Sequence, residues 1–145
     1  MEDKMKVFID TNVFLDYIER RPTYYDAALA IFLLSAKKMI TLMLSDLSIA
    51  NSKYITRKTI IASDFYSTIK RLRKYFDIVP VGRNVVDRAL ALEAKDFEDA
   101  LQFYAAEQAE ADCVVTRNTK HFDFASTIEV LEPKDFLSKY FPEEL

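Results

Sequence analysis

Short apolar runs alternate along the chain with longer stretches in which apolar residues recur at helical spacing. The short runs are rich in β-branched and aromatic residues and are bounded by polar ones, which is typical of buried strands. Strands are therefore predicted at residues 6–9, 40–44, 77–81, 113–116 and 128–131.

The stretches between these runs predict helices. Asn12 is the expected cap of a helix through Ile18, and Ser45 or Asp46 of one through Ile55. Asn84 is expected to cap a helix that ends near residue 94, and Pro133 to lie in the first turn of a helix over 134–140. Further helices are predicted at residues 25–38, 63–75 and 97–110.

Strands that alternate with helices predict a mainly parallel sheet with helices on both faces. The expected fold is thus an α/β three-layer α/β/α sandwich with four to five strands. At 145 residues, 50% hydrophobic and 30% charged, the chain fits one globular domain over residues 1–145.

Composition narrows the classes of function. Gly82 is the only glycine, which excludes glycine-rich phosphate loops. A net charge of −3 argues against an overall basic nucleic-acid binder but permits a basic face. Cys113 is the only cysteine and the first residues are charged, so we expect a cytoplasmic protein. No apolar run approaches the roughly 20 residues that span a bilayer, so we expect no membrane role.

Polar side chains follow several of the predicted strands. Ligands of parallel α/β sheets bind beyond the carboxyl ends of the strands, so these side chains are the first candidates for chemistry. They are Asp10, Thr11 and Asn12, Ser45 and Asp46, Thr116, Arg117 and Asn118, together with Asp96, Glu98 and Asp99 at the start of a helix.

Carboxylates that lie close together repel one another and are costly to bury unless a cation neutralises them. An oxygen ligand set suits Mg²⁺ or Mn²⁺, whereas a single histidine, His121, disfavours zinc. The alternative is that Asp10 and Asp99 are separate helix caps.

Four segments in this order resemble the PIN-domain family, especially the ribonuclease toxins of bacterial VapBC-type pairs. They are "FIDTNVFLDY", "LSDLSIANSKYI", "DFEDALQFYAAEQAEADCVVTRN" and "HFDF", and the likeness covers nearly the whole chain. It implies the PIN fold, a divalent metal and a family of phosphodiester hydrolases.

The resemblance also implies roles for individual residues. Asp10 and Asp99 match acids that bind metal, Thr11 and Asn12 the accompanying polar pair, and Thr116 a threonine that orients the site. Asn51 and Asn118 stand at positions where the family usually carries acids. Asp96 is therefore the first candidate for a substitute acid, before Glu98, Asp46 and Asp123, and one ion, Mg²⁺ or Mn²⁺, is expected.

The function that the resemblance implies is a metal-dependent endoribonuclease, with Asp10, Asp99, Asp96 and Asn118 as its catalytic set. Hydrolysis would leave a 5′-phosphate, and a small antitoxin and a homodimer are the expected protein partners. Cations outside the acidic pocket are candidates for binding the phosphates of RNA: Lys53, Arg57, Arg117 and Lys120.

Two other functions remain open from the sequence. A degenerate PIN domain would bind RNA or a protein without cleaving, and Asn51 and Asn118 favour that alternative. A phosphatase on a related sheet would use the Asp after the first strand, but the aspartyl-phosphate mechanism lacks a second Asp at position 12.

Overall fold

The computed structural model describes residues 4–124 and 127–145 and contains one five-stranded sheet. Every strand pairing in it is parallel, and the strand order is β3-β2-β1-β4-β5. The strands are β1 (Met5–Ile9), β2 (Ile40–Ser45), β3 (Asp77–Val79), β4 (Cys113–Val115) and β5 (Glu129–Leu131). The five strands predicted from the apolar runs are confirmed.

Seven α-helices connect or flank the strands in the described part of the chain. They are α1 (Thr11–Ile18), α2 (Tyr25–Ala36), α3 (Asp46–Ile55), α4 (Ala62–Leu72), α5 (Gly82–Leu92), α6 (Phe97–Gln108) and α7 (Pro133–Tyr140). Short 3₁₀ turns lie at Arg73–Tyr75, Thr119–Phe122 and Pro142–Glu144. None of the helices in the residues described is long and apolar enough to cross a membrane.

The helices bury the two faces of the sheet separately. Val7 and Ile9 of β1 point to a core that includes Phe14 of α1 and Phe136 of α7. Phe8 points the other way, to a core that α5 and α6 cover with small and aromatic side chains such as Ala100 and Phe103. Because successive side chains of a strand face opposite sides, β1 belongs to both cores. The predicted three-layer arrangement is confirmed.

Two of the predicted helix caps are wrong. Helix α1 begins at Thr11, and its cap is Asp10, whose carboxylate accepts the Thr11 N–H at 2.8 Å, so Asn12 lies inside the helix. Helix α5 begins at Gly82, before Asn84, and Gly82 has a left-handed φ of 71° that favours glycine. The predicted cap Ser45 is confirmed, since its hydroxyl accepts the Ser48 N–H at 3.0 Å.

The centre of the sheet positions the polar residues that follow β1 and β4. The Asp10 N–H donates to the Val115 carbonyl at 3.0 Å, and the Thr116 N–H donates to the Leu131 carbonyl at 3.0 Å, so both backbones continue the sheet ladder. The chain leaves β1 toward β2 on one side, while β4 lies on the other. Asp10 and Thr116 thus lie at the carboxyl edge beside the topological switch point, where α/β sheets bind ligands.

Candidate metal centre

Asp10 is a buried carboxylate at the carboxyl end of the central strand, with 4% of its surface exposed. Its Oδ1 accepts the Thr11 N–H, and its Oδ2 accepts the Thr116 hydroxyl at 2.8 Å and an Asn12 amide hydrogen at 3.4 Å. Burial raises the pKa of Asp10, and the hydrogen bonds from Thr116 and Thr11 oppose that increase. Oδ1 keeps a lone pair that these hydrogen bonds do not use.

The Thr116 hydroxyl fixes the orientation of Asp10 because its hydrogen-bonding capacity is fully used. It donates to Asp10 and accepts from the Asn12 amide at 3.3 Å and from the Asn118 N–H at 3.1 Å. The Asn12 side chain in turn accepts the Arg117 N–H at 3.2 Å. A hydroxyl has one hydrogen and two lone pairs, so Thr116 can rotate only by losing a bond. This set locks the end of β1 to the loop after β4.

Asp99 is the second buried acid, on the first turn of α6. The cap of this helix is Asp96, whose carboxylate accepts the Asp99 N–H at 3.0 Å. Burial, followed by the charges of Asp10 and Asp96, raises the pKa of Asp99 to about 6. The hydrogen bond and charge of His121 act in the opposite direction. Asp10 and Asp99 therefore share one electrostatic environment, and their negative charges are incompletely compensated.

His121 lies against Asp99, an arrangement that the sequence interpretation missed. Its Nδ1 is 3.0 Å from Asp99 Oδ2, and ligand atoms of Asp96, Asp99 and His121 all lie within 4.8 Å of one another. The 3₁₀ turn at Thr119–Phe122 presents the imidazole, and the buried Phe122 ring anchors that turn. The signal in the sequence was the "HF" pair that closely follows "TRN".

The two asparagines at the usually acidic positions form hydrogen bonds with residues other than Asp10. The Asn51 amide of α3 donates to Glu98 Oε1 of α6 at 3.0 Å, so Glu98 is tied to the neighbouring helix. Asn118 is exposed and holds Thr116 through its backbone N–H.

The other proposed substitute acids occupy different places. Asp46 Oδ1 accepts the Val81 N–H at 3.2 Å and thereby stabilises the entry to α5. Asp123 is exposed and lines an open groove of about 520 Å³ together with Asp96, Lys120 and His121. Among the candidates for a substitute acid, Asp96 lies in the same cluster as Asp99.

A buried polar cluster behind the acids joins three helices. The Gln102 amide donates to the Thr11 hydroxyl at 3.1 Å and to the Ser48 hydroxyl at 2.8 Å, and the two hydroxyls are 2.6 Å apart. Because Ser48 also accepts from Ser45 at 3.2 Å, its own hydrogen points to Thr11. The sequence interpretation overlooked Ser48 and Gln102, although Gln102 follows Asp99 by three residues in "EDALQ".

Arg117, a predicted RNA contact, is held in an internal ion pair. Its guanidinium makes two bonds to the buried Asp16, of 2.7 and 3.1 Å, and lies 4.0 Å from the centre of the Tyr24 ring. Arg21 adds a longer contact of 3.6 Å to Asp16. The charge of Arg117 is thus compensated inside the fold, and its role here is to bind α1 to the loop after β4.

The three other predicted RNA contacts lie in two places, the end of α3 and the turn that carries His121. Lys53 and Arg57 are on or just after α3, where Lys53 lies 5.9 Å from the Tyr66 ring and Arg57 lies 3.9 Å from the exposed Tyr54 ring. Lys120 is exposed beside His121. Cations beside exposed aromatic rings, as at Lys53 and Arg57, are suited to the phosphates and bases of a single strand.

The donor set fits a divalent cation. Asp10 offers a free lone pair, and Asp96, Asp99 and His121 bring further oxygen and nitrogen donors close together. Buried carboxylates with raised pKa are stabilised when a cation compensates their charge. The residues that could hold such an ion are therefore Asp10, Asp99 and Asp96, with His121 beside them.

Known proteins match this chain over most of its length. A family model described as PIN domain matches residues 6–120. Ribonuclease VapC1 of Aquifex aeolicus (strain VF5) is 34% identical over 141 residues, which cover 93% of this chain and 95% of the relative.

Solved structures share the fold at lower identity. VapBC2 from Rickettsia felis, bound to a DNA fragment from its promoter, superimposes with a TM-score of 0.66 at 21% identity, over 87% of this chain and 97% of the other. VapC20 of Mycobacterium tuberculosis, a sarcin-ricin loop cleaving toxin, gives a TM-score of 0.64 at 14% identity, over 82% and 96%.

Proposed function

The chain belongs to the PIN-domain family, and from that premise we propose that it is a metal-dependent endoribonuclease, the toxin of a toxin–antitoxin pair. The observation that carries this proposal is the pair Asp10 and Asp99. Both carboxylates are buried at the carboxyl edge of the sheet, and burial raises the pKa of each. A divalent cation compensates exactly such charges, and the curated relative that covers the chain is named a ribonuclease.

In this proposal Asp10, Asp99 and Asp96 hold the ion, as Mg²⁺ or Mn²⁺. When bound, such an ion supplies an activated water and neutralises charge on the phosphoryl oxygen. Thr116 and Asn12 keep the Asp10 carboxylate in one orientation, and Asp96 fixes the Asp99 backbone through the cap of α6. The hydrogen-bonded cluster of Thr11, Ser48 and Gln102 keeps the helices that carry these groups in register.

RNA would reach the acids along the surface that carries Lys53, Arg57 and Lys120. These cations attract the phosphate backbone toward a pocket that is itself acidic. Asn118 is exposed on the loop after β4, and in this proposal its amide contacts the substrate. Arg117 is left out of this contact set because Asp16 already binds its guanidinium.

The partners proposed for this chain follow from the same relatives. A toxin–antitoxin complex from Klebsiella pneumoniae shares the fold, with a TM-score of 0.63 at 23% identity. By analogy, a small antitoxin that covers the acids would silence the enzyme here. We also propose that two copies of the chain form a homodimer and that the protein acts on RNA in the cytoplasm.

The test of this function is cleavage of RNA by matched variants. Purified wild-type protein should cleave RNA with Mg²⁺ or Mn²⁺ and lose that activity with a chelator. Asp10→Asn should lower the rate at least 100-fold, because the amide cannot compensate the charge of the ion. Asp77→Asn is the control, since Asp77 is exposed at the start of the edge strand β3, which β2 separates from β1. Equal rates for Asp10→Asn and wild type would contradict the proposal.

The non-catalytic alternative is not favoured. It rested on the neutral side chains of Asn51 and Asn118, but the fold brings Asp96 and His121 to Asp99 and so supplies further donors. The phosphatase alternative is likewise not favoured, since Asn12 donates to Asp10 and Thr116 and offers no second carboxylate.

A further inference from the structure

His121 is the one imidazole of the chain, and it lies in the group of donors that would hold the ion. Asn118 is exposed and neutral, so the carboxylate that is usual at this position of the loop after β4 is lacking. His121 is three residues further along the same loop. The backbone N–H of His121 donates to the Asn118 carbonyl at 2.9 Å. This bond closes the turn and directs the imidazole toward Asp99.

The distance between the two side chains fits two ligands of one ion. Neighbouring ligands of an octahedral ion, each about 2.1 Å from it, are about 3.0 Å apart. His121 Nδ1 and Asp99 Oδ2 are separated by 3.0 Å. Asp96 offers a third donor, since ligand atoms of Asp96, Asp99 and His121 lie within 4.8 Å of one another. The separation of His121 Nδ1 and Asp99 Oδ2 therefore need not change for one ion to take both as ligands in place of the hydrogen bond.

We propose that His121 Nδ1 is a ligand of the divalent ion and gives the site a preference for first-row transition ions over Mg²⁺. Mg²⁺ binds oxygen donors almost exclusively, whereas imidazole nitrogen strengthens the binding of Co²⁺, Ni²⁺ and Zn²⁺, and Mn²⁺ accepts it as well. This inference rests on the proposed metal-dependent function, because it concerns the same ion.

The direct test is pulsed electron paramagnetic resonance of the untagged, full-length protein loaded with Mn²⁺. Because the chain contains one histidine, a hyperfine coupling from imidazole nitrogen can come from His121 alone. Wild type should show that coupling, and His121→Asn should lose it while still binding Mn²⁺. His121 is exposed, so the variant should fold, which circular dichroism checks.

Calorimetry measures the preference itself. His121→Asn should weaken Co²⁺ binding at least tenfold but change Mg²⁺ binding less than threefold, and the uncharged Thr119→Ser is a control on the same turn. Mn²⁺ that binds wild type without nitrogen coupling, or equal losses for both ions, would overturn this inference and leave the proposed function intact. Failure of Mn²⁺ and Mg²⁺ to bind at millimolar concentration would overturn both.

Discussion

At the scale of single residues, the orientation of Asp10 depends on the Thr116 hydroxyl. Thr116→Val keeps the shape but removes the donor to Asp10 and the acceptor for Asn12 and Asn118. We expect a 10- to 100-fold loss of Mn²⁺ affinity, measured by calorimetry, because loss of a group that orients a ligand has that size of effect. Thr116→Ser keeps the hydroxyl and should bind nearly as wild type. A Val variant that binds as tightly as wild type would argue against this role.

The ionised carboxylate of Asp99 destabilises the folded protein when no metal is bound. Its pKa is about 6 when folded, against an ordinary value of 3.8, so the folded state binds the proton more tightly than the unfolded state. This difference in proton binding contributes to the free energy of unfolding. The contribution is fully present below pH 3.8 and is lost as the pH rises through about 6.

Asp99→Asn should therefore stabilise the metal-free protein at a pH above about 6. The gain is on the order of 2 kcal/mol in the free energy of unfolding. Thermal unfolding with a chelator should show a Tm that is higher by roughly 4 to 8 °C. The difference between variant and wild type should shrink as the pH falls from about 6 and should vanish below pH 3.8, where Asp99 becomes protonated in both states. A variant that is less stable than wild type above pH ~6 would contradict the raised pKa.

The sequence identified the residues that belong to recognisable motifs. It did not predict contacts between residues that are far apart in the chain. "DTN" and "EDALQ" singled out Asp10 and Asp99 because acids beside strand ends and helix starts form recognisable patterns. His121 was set aside since a lone histidine in a sequence indicates no ligand set. Its contact with Asp99 arises because a 3₁₀ turn returns to the start of α6, 22 residues earlier.

At the scale of elements, the ion pair between Asp16 and Arg117 joins α1 to the loop after β4. Asp16 is fully buried and is paired mainly with Arg117. Arg117→Met therefore leaves the negative charge of Asp16 inside the protein with the more distant Arg21 as its remaining partner. We expect a loss of about 3–5 kcal/mol in the free energy of unfolding, measured by urea denaturation. Lys37→Met removes an exposed pair with Glu144 and should cost less than about 1 kcal/mol.

The double variant Asp16→Leu with Arg117→Met separates the charge from the packing. Removing both charges takes away the desolvation cost, so its stability should recover most of the loss seen with Arg117→Met alone. A double variant as unstable as the single one would show that shape, and not charge, determines the effect.

The elements themselves were predictable, whereas their ends were less so. The short apolar runs identified all five strands. β1, β2 and β4 are mostly buried, whereas β3 and β5 lie at the two edges of the sheet and are partly exposed. The caps predicted at Asn12 and Asn84 were wrong because competing groups begin those helices earlier. Asp10 binds the Thr11 N–H, and Gly82 permits the left-handed φ at which α5 begins.

At the scale of the whole molecule, metal binding should stabilise the fold because its ligands come from three separate segments. Asp10 follows β1, Asp99 lies on α6, and His121 lies after β4. An ion at 100 times its Kd adds about 2.7 kcal/mol to the free energy of unfolding. For a chain of this size that raises Tm by roughly 5–10 °C. Differential scanning fluorimetry with Mn²⁺ should show this rise for wild type and Asp77→Asn.

The same ion should leave the Tm of Asp10→Asn nearly unchanged. An equal rise in Asp10→Asn and wild type would place the bound ion elsewhere on the protein, at exposed acids that bind without Asp10.

The sequence predicted the layers of the molecule but did not predict the order of the strands. Alternating strands and helices imply a parallel sheet, and the helices on each face follow from its two apolar surfaces. Which strand lies beside β1 depends on contacts far apart in the chain, such as the pairing of Val7 with Cys113. The separation of Asp10 from Thr116 by 106 residues, closed to 2.8 Å in the fold, is a consequence of that order.

The central claim is that one divalent ion is held at the carboxyl edge of the sheet between the acids of β1 and α6. The most direct measurement is a crystal structure of the protein soaked in Mn²⁺, with anomalous diffraction data collected at the manganese edge. We predict one strong anomalous peak in contact with Asp10 and Asp99, and with His121 as a further ligand. A well-ordered site without a peak, or a peak that contacts neither Asp10 nor Asp99, would contradict the claim.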